Sequence, residues 1–90
     1  MPAQVKIYTT PYCPYCVRAK HLLRQKGVAY EEIDVQDRGD LRAWLVKATG
    51  QRTVPQVFIN DRSVGGFSDI DELDQRGELD PLLLVTVLRK

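Results

Sequence analysis

Ninety residues with 43% hydrophobic and 28% charged side chains describe one domain over residues 1–90, large enough for a modest core and too small for two. A formal net charge of +1 removes the broad basic footprint that non-specific nucleic-acid binding requires. The longest mostly apolar stretch, Leu82 to Leu88, is broken by Thr86 and falls far short of the roughly 20 residues that span a bilayer. The opening Met1 to Thr10 lacks a basic segment followed by an apolar one, so it reads as the start of a strand rather than a secretory leader, which points to the cytoplasm.

The charge is unevenly spread. No acidic side chain precedes Glu31, while Lys6, Arg18, Lys20, Arg24 and Lys26 lie before it; the remaining 8 bases and 12 acids leave the rest of the chain at −4. This basic first third is either a solvated helix face or a field that attracts anionic substrates, and both can hold at once.

In chain order, Val5 and Ile7 alternate with Lys6 and Tyr8, which predicts a strand over residues 3–9. From Pro14, Cys16, Ala19 and Leu23 recur at helical spacing until Gly27 stops the pattern. Ile33 and Val35 alternate with Glu32 and Asp34 in a second strand. Asp40 is a candidate N-cap for a helix with the stripe Leu41, Trp44, Leu45 and Ala48, ending at Gly50. Val57, Phe58 and Ile59 form a short strand, and Asn60, Asp61 and Arg62 supply the turn of a hairpin that runs to Val64 and the Gly65-Gly66 pair. Ser68 is a candidate N-cap for a helix through Arg76, and Asp80-Pro81 opens a last helix that ends the chain. The order predicts an α/β fold: a right-handed parallel β-α-β crossover followed by an antiparallel hairpin, giving a four-stranded mixed sheet with helices on both faces.

Cys13 and Cys16 stand too close together for their loop to staple a fold. Cys13 falls at the N-cap of the first helix, where unpaired N–H groups and the helix dipole favour thiolate over thiol. Cys16, one turn on, faces inward but can reach Cys13. Cys13 is therefore the attacking thiol and Cys16 the resolving one, with Pro14 at the first helical position. A zinc site needs four ligands, and His21 is the sole histidine, on the other helical face, so no metal site is expected.

The run Cys13-Pro14-Tyr15-Cys16, together with Thr53-Val54-Pro55 and Gly65-Gly66-Phe67-Ser68-Asp69, closely resembles the glutaredoxins, in particular the small dithiol bacterial type, over nearly the whole chain. The resemblance implies a thioredoxin fold and a glutathione-dependent thiol-disulfide oxidoreductase acting as a monomer on disulfide-containing or glutathionylated proteins. Glutathione is then a co-substrate, with no tightly bound cofactor. It implies a cis Pro55 beside the cysteines, with the Val54 backbone and Thr53 pairing with the cysteine unit of glutathione as a short antiparallel strand does. Gly66 admits the ligand to the backbone, the helix opening at Ser68 and Asp69 receives the γ-glutamyl end, Tyr15 flanks the attacked sulfur, and Arg42 meets the glycine carboxylate. The sequence departs from the family at Thr10, where many members carry lysine three residues before the nucleophile. The sequence also admits two other readings: a redoxin of the same fold reduced by thioredoxin reductase, and an iron-sulfur carrier in which two chains each give Cys13 and a glutathione, against which Pro14 stiffens the loop.

Overall fold

Alternation along the two central strands decides which helices lie on which side of the sheet. In the computed structural model, which describes residues 4–84, β1 (Val5–Thr9) and β3 (Gln56–Ile59) pair antiparallel, with Ile7 opposite Val57 and Lys6 opposite Phe58. Val5, Ile7, Val57 and Ile59 point to one face and pack with Ala19, Leu22 and Leu23 of α1 (Pro14–Gln25), Ile70 of α3 (Phe67–Gln75), and Leu79 and Leu83 of α4 (Leu79–Leu84). Tyr8 and Phe58 point to the other face and pack with Val35 and with Leu45 of α2 (Gly39–Thr49). A period of two in the strands thus separates a larger core from a smaller one.

β2 (Glu31–Asp34) joins β1 in parallel, β4 (Arg62–Gly65) joins β3 antiparallel, and the order across the sheet is β2-β1-β3-β4. The mixed four-stranded sheet flanked by helices is therefore the thioredoxin-type architecture expected. Asn60 and Asp61 both have positive φ (52° and 67°), the backbone a tight two-residue hairpin demands and one that Asn and Asp tolerate.

Four helix details differ from the sequence pattern. α2 begins at Gly39 with Arg38 at the cap, and Asp40, inside the first turn, binds the Arg38 guanidinium through two contacts of 3.2 and 3.3 Å instead of capping. Within its stripe only Leu45 is buried; Trp44 and Ala48 are exposed, although the Trp44 ring stacks on Phe58 at 5.7 Å. α3 is capped by Gly66 rather than Ser68, because Asp69 at its third position reaches back to the Gly66 N–H at 2.9 Å. α4 starts at Leu79, one residue ahead of Asp80, which carries a fully buried leucine into the core; Pro81 then sits in the first turn, where its missing N–H has no acceptor to lose. The predicted helical end of the chain beyond residue 84 and the start of the first strand at residue 3 lie outside the described residues.

Candidate active site

The end of β1 delivers the chain through Thr10, Pro11 and Tyr12 to Cys13, which has extended backbone (φ −120°, ψ 106°) and caps α1. Its sulfur accepts the backbone N–H of Cys16 at 3.1 Å, so the first turn does point a donor at Sγ as the sequence predicts. The thiol in turn donates to the Val54 carbonyl at 3.6 Å, joining the cysteine turn to a segment 41 residues away. Both cysteines are free thiols, Cys13 partly exposed and Cys16 buried. Burial, reinforced by a hydrogen bond with Cys13, pushes the Cys16 thiol up to about 12, against smaller opposing pulls from the Thr10 backbone and Lys20.

This separates the two thiols chemically. In a Cys13→Ser variant, where burial still disfavours the charged thiolate, Cys16 should stay essentially unmodified by iodoacetamide at pH 7. Alkylation of Cys16 at the rate of a free thiol would show that burial does not hold its proton.

The Val54–Pro55 peptide bond is cis. Beside it a groove of about 240 Å³ is lined by Tyr15, Thr53, Val54, Pro55, Gly66, Ser68 and Asp69. Every non-cysteine site residue singled out in the sequence except Arg42 thus meets in one place. Arg42 lies in an adjoining hollow that shares Thr53 and Val54 with the groove, and its guanidinium donates to the Arg52 carbonyl at 3.2 Å. At the far wall, the N–H groups of residues 67–69 in the first turn of α3 have no helical acceptors and make that wall receptive to anions.

Two glycines shape this wall. At Gly65 φ is +102°, and a Cβ there would lie 2.2 Å from Asp69 Oδ2. At Gly66 a Cβ would meet the Pro55 carbonyl oxygen at 3.1 Å, so the absence of side chains lets the α3 cap and the Pro55 segment approach each other.

Sequence reasoning missed three contributors. Gln51 and Phe67 also line the groove, Phe67 with its ring 6.3 Å from Tyr15. Fully buried Gln56 donates through Nε2 to Gln51 Oε1 and the Thr53 carbonyl, both at 3.0 Å, and so ties down the loop before Pro55. Phe67 falls inside the Gly65–Asp69 run and was discoverable there; Gln51 and Gln56 act through tertiary contacts that leave no local pattern. Among the described residues no group of three or more metal-ligating side chains occurs, and no helix is long and apolar enough to cross a membrane.

The glutaredoxin family model matches residues 5–64. The chain is 49% identical over 79 residues to a glutaredoxin of Pseudomonas aeruginosa, covering 88% of this chain and 94% of that one. It is 48% identical over 81 residues to glutaredoxin 3 of Escherichia coli K12, covering 90% and 98%. Among solved structures it is similar to a buckwheat glutaredoxin-glutathione complex, with TM-score 0.84 and 37% identity over 90% of this chain and 76% of that one. A Brucella melitensis glutaredoxin gives TM-score 0.83 and 46% identity over 92% and 90%.

Proposed function

The chain belongs to the glutaredoxin family of thiol-disulfide oxidoreductases, and we propose that it reduces protein disulfides and glutathione mixed disulfides with glutathione as the electron donor. The observation that carries this reading is the Cys13 sulfur, held by the Cys16 N–H on one side and the Val54 carbonyl on the other, beside a groove that ends at a helix N-terminus.

Cys13 thiolate attacks the glutathionyl sulfur of a mixed disulfide, the S–S bond breaks, and the substrate thiolate leaves and takes up a proton. A second glutathione thiolate then attacks the Cys13-bound glutathionyl sulfur, releasing glutathione disulfide and restoring Cys13. With a protein disulfide, Cys13 attacks one of its sulfurs; Cys16 loses its proton, attacks Cys13 Sγ, and expels the reduced protein. The resulting Cys13–Cys16 disulfide is reduced by two glutathiones. Glutathione is a co-substrate, and the cycle requires no tightly bound cofactor.

In this reading the Val54 backbone and Thr53 pair with the cysteine unit of glutathione, Pro55 and Tyr15 flank its sulfur, Gly66 lets the ligand approach the backbone, and the N–H groups of Ser68 and Asp69 in the first turn of α3 hold the γ-glutamyl carboxylate. Asp69 uses Oδ2 for the Gly66 N–H, which leaves Oδ1 for the γ-glutamyl ammonium. Arg42, across the shared Thr53 and Val54 wall, takes the glycine carboxylate. The protein acts as a monomer in the cytoplasm, whose thiol pool keeps both cysteines reduced. The test is turnover of the mixed disulfide of glutathione and 2-mercaptoethanol, coupled to glutathione reductase. Turnover supported by thioredoxin reductase and not by glutathione would overturn the reading.

Thr10 stands where many family members carry lysine, so Thr10→Lys should improve binding more than chemistry. A partly exposed pair with the glycine carboxylate contributes about 0.2–1 kcal/mol and weakens with salt. KM for glutathionylated substrates should fall by up to about fivefold at low ionic strength, with kcat little changed and the gain shrinking in high salt. An unchanged KM with a large rise in kcat would mean that Thr10 limits thiolate formation.

A further inference from the structure

We infer that the outer face of α1 and the start of α3 form a docking groove for polypeptide substrates, selective for disulfides flanked by acidic residues. The inference rests on the oxidoreductase reading above and names the substrate class for that same site.

The groove lies between the two helices and is lined by Val17, Arg18, His21, Arg24, Phe67 and Asp71, among others, with a volume of about 410 Å³. Phe67 also lines the active-site groove, so the two lie on either side of one side chain. Exposed apolar side chains concentrate around the cysteine turn: of the four large hydrophobic residues left open to solvent among the described residues, Tyr12 (91%), Tyr15 (55%) and Val17 (60%) all lie within four residues of Cys13, and Val17 lines this groove. A tripeptide held along Val54 and α3 leaves Tyr12 and Val17 without a role, and a larger substrate covers them.

Charge decides the kind of polypeptide. Of the five cations that precede Glu31, Lys20 is paired with Glu32, and Lys26 with Asp74 and Asp80. Arg18, His21 and Arg24 form no salt bridge among the described residues; Arg18 lies over the Tyr15 ring at 5.5 Å, and Arg24 acts only at a distance on Glu32. The opposing acid in the groove, Asp71, accepts from Gln75 at 2.9 Å. Two guanidiniums therefore outweigh one carboxylate, and an acidic segment complements the groove. From Cys13 to Arg24 the helix runs about 16 Å at about 1.5 Å per residue, a distance that about five extended residues cover. The acidic residues should thus lie within about five positions of the substrate cysteine.

The experiment compares two peptides of equal length, each with one glutathionylated cysteine flanked on both sides by an apolar residue and either glutamates or lysines. The small mixed disulfide of glutathione and 2-mercaptoethanol is assayed in parallel. At low ionic strength kcat/KM should favour the acidic peptide by about tenfold, and the preference should largely disappear in high salt. Arg24→Glu combined with His21→Glu should abolish the preference and leave the small substrate unaffected. Arg62→Glu changes the net charge at the other end of the sheet, where Arg62 pairs with Ile59 and Ile59 with Val5, and should keep it. Equal rates for the two peptides, or a preference that Arg62→Glu removes as fully as the groove variant, would overturn the inference. Loss of turnover on all three substrates in the unmodified protein would instead overturn the functional reading.

Discussion

Replacing Cys13 with serine should abolish turnover of every disulfide substrate, whereas Cys16→Ser should retain most activity on glutathione mixed disulfides and lose most reduction of protein disulfides. The division follows from placement. Cys13 is the partly exposed cap whose sulfur accepts an N–H, while Cys16 is buried and its thiol is pushed up to about 12 by that burial. A buried, protonated thiol is a poor attacking group for an incoming substrate. It becomes useful once Cys13 carries a mixed disulfide one turn away, and glutathione can replace it in that step when the substrate is itself glutathionylated. Coupled assays on one glutathionylated peptide and one protein disulfide separate the two roles; equal loss in both variants on the glutathionylated peptide would reject the assignment.

The second large effect lies at Gly65. With φ at +102°, any side chain strains the backbone by about 1–3 kcal/mol. Its Cβ would also occupy the place of the Asp69 carboxylate, which must then release the Gly66 N–H, and losing such a cap costs about 0.5–2 kcal/mol. Gly65→Ala should therefore lower stability by about 2–4 kcal/mol, a Tm decrease of roughly 10–20 °C for a chain of this size. The glutathione KM should rise as well, because the α3 turn that forms the anion wall is the turn displaced. Gly66→Ala should be milder in stability, since its φ is negative and the nearest clash, with the Pro55 carbonyl, is 3.1 Å. Thermal unfolding with kinetics on both variants checks the ordering, and a Gly65→Ala protein with unchanged Tm would contradict it.

What the sequence revealed depended on how far apart the interacting residues lie. The cysteine turn is a local structure: strand end, proline at the first helical position, and a thiol one turn on all fall within a few residues, so residue chemistry alone identified it. The strands were equally legible, because alternation in Val5–Tyr8 and the β-rich run Val57–Ile59 mark the two central ones, while the division of Val57 and Ile59 from Phe58 between two cores shows only in the fold. The meeting of Cys13 with Val54, and of Pro55 with Gly66, spans tens of residues and could be anticipated only through resemblance to a family. Helix starts were misplaced where two capping arrangements compete within a few residues. Ser68 has the right side chain for a cap, yet Gly66 followed by Asp69 at the third helical position wins through the carboxylate reaching back. Gln56 carries no local signal of its own, and only its bonds to Gln51 and Thr53 show that it anchors the loop beside the site.

In the proposed cycle Cys13 takes the glutathionyl group itself and frees the substrate as a thiol. Intact and peptide mass spectrometry of the Cys16→Ser variant, mixed with one equivalent of a glutathionylated peptide in the absence of free glutathione, tests this directly. One glutathionyl adduct mapped to Cys13 and release of the reduced peptide are expected. A Cys13 adduct carrying the peptide in place of glutathione, or no adduct on Cys13, would contradict it.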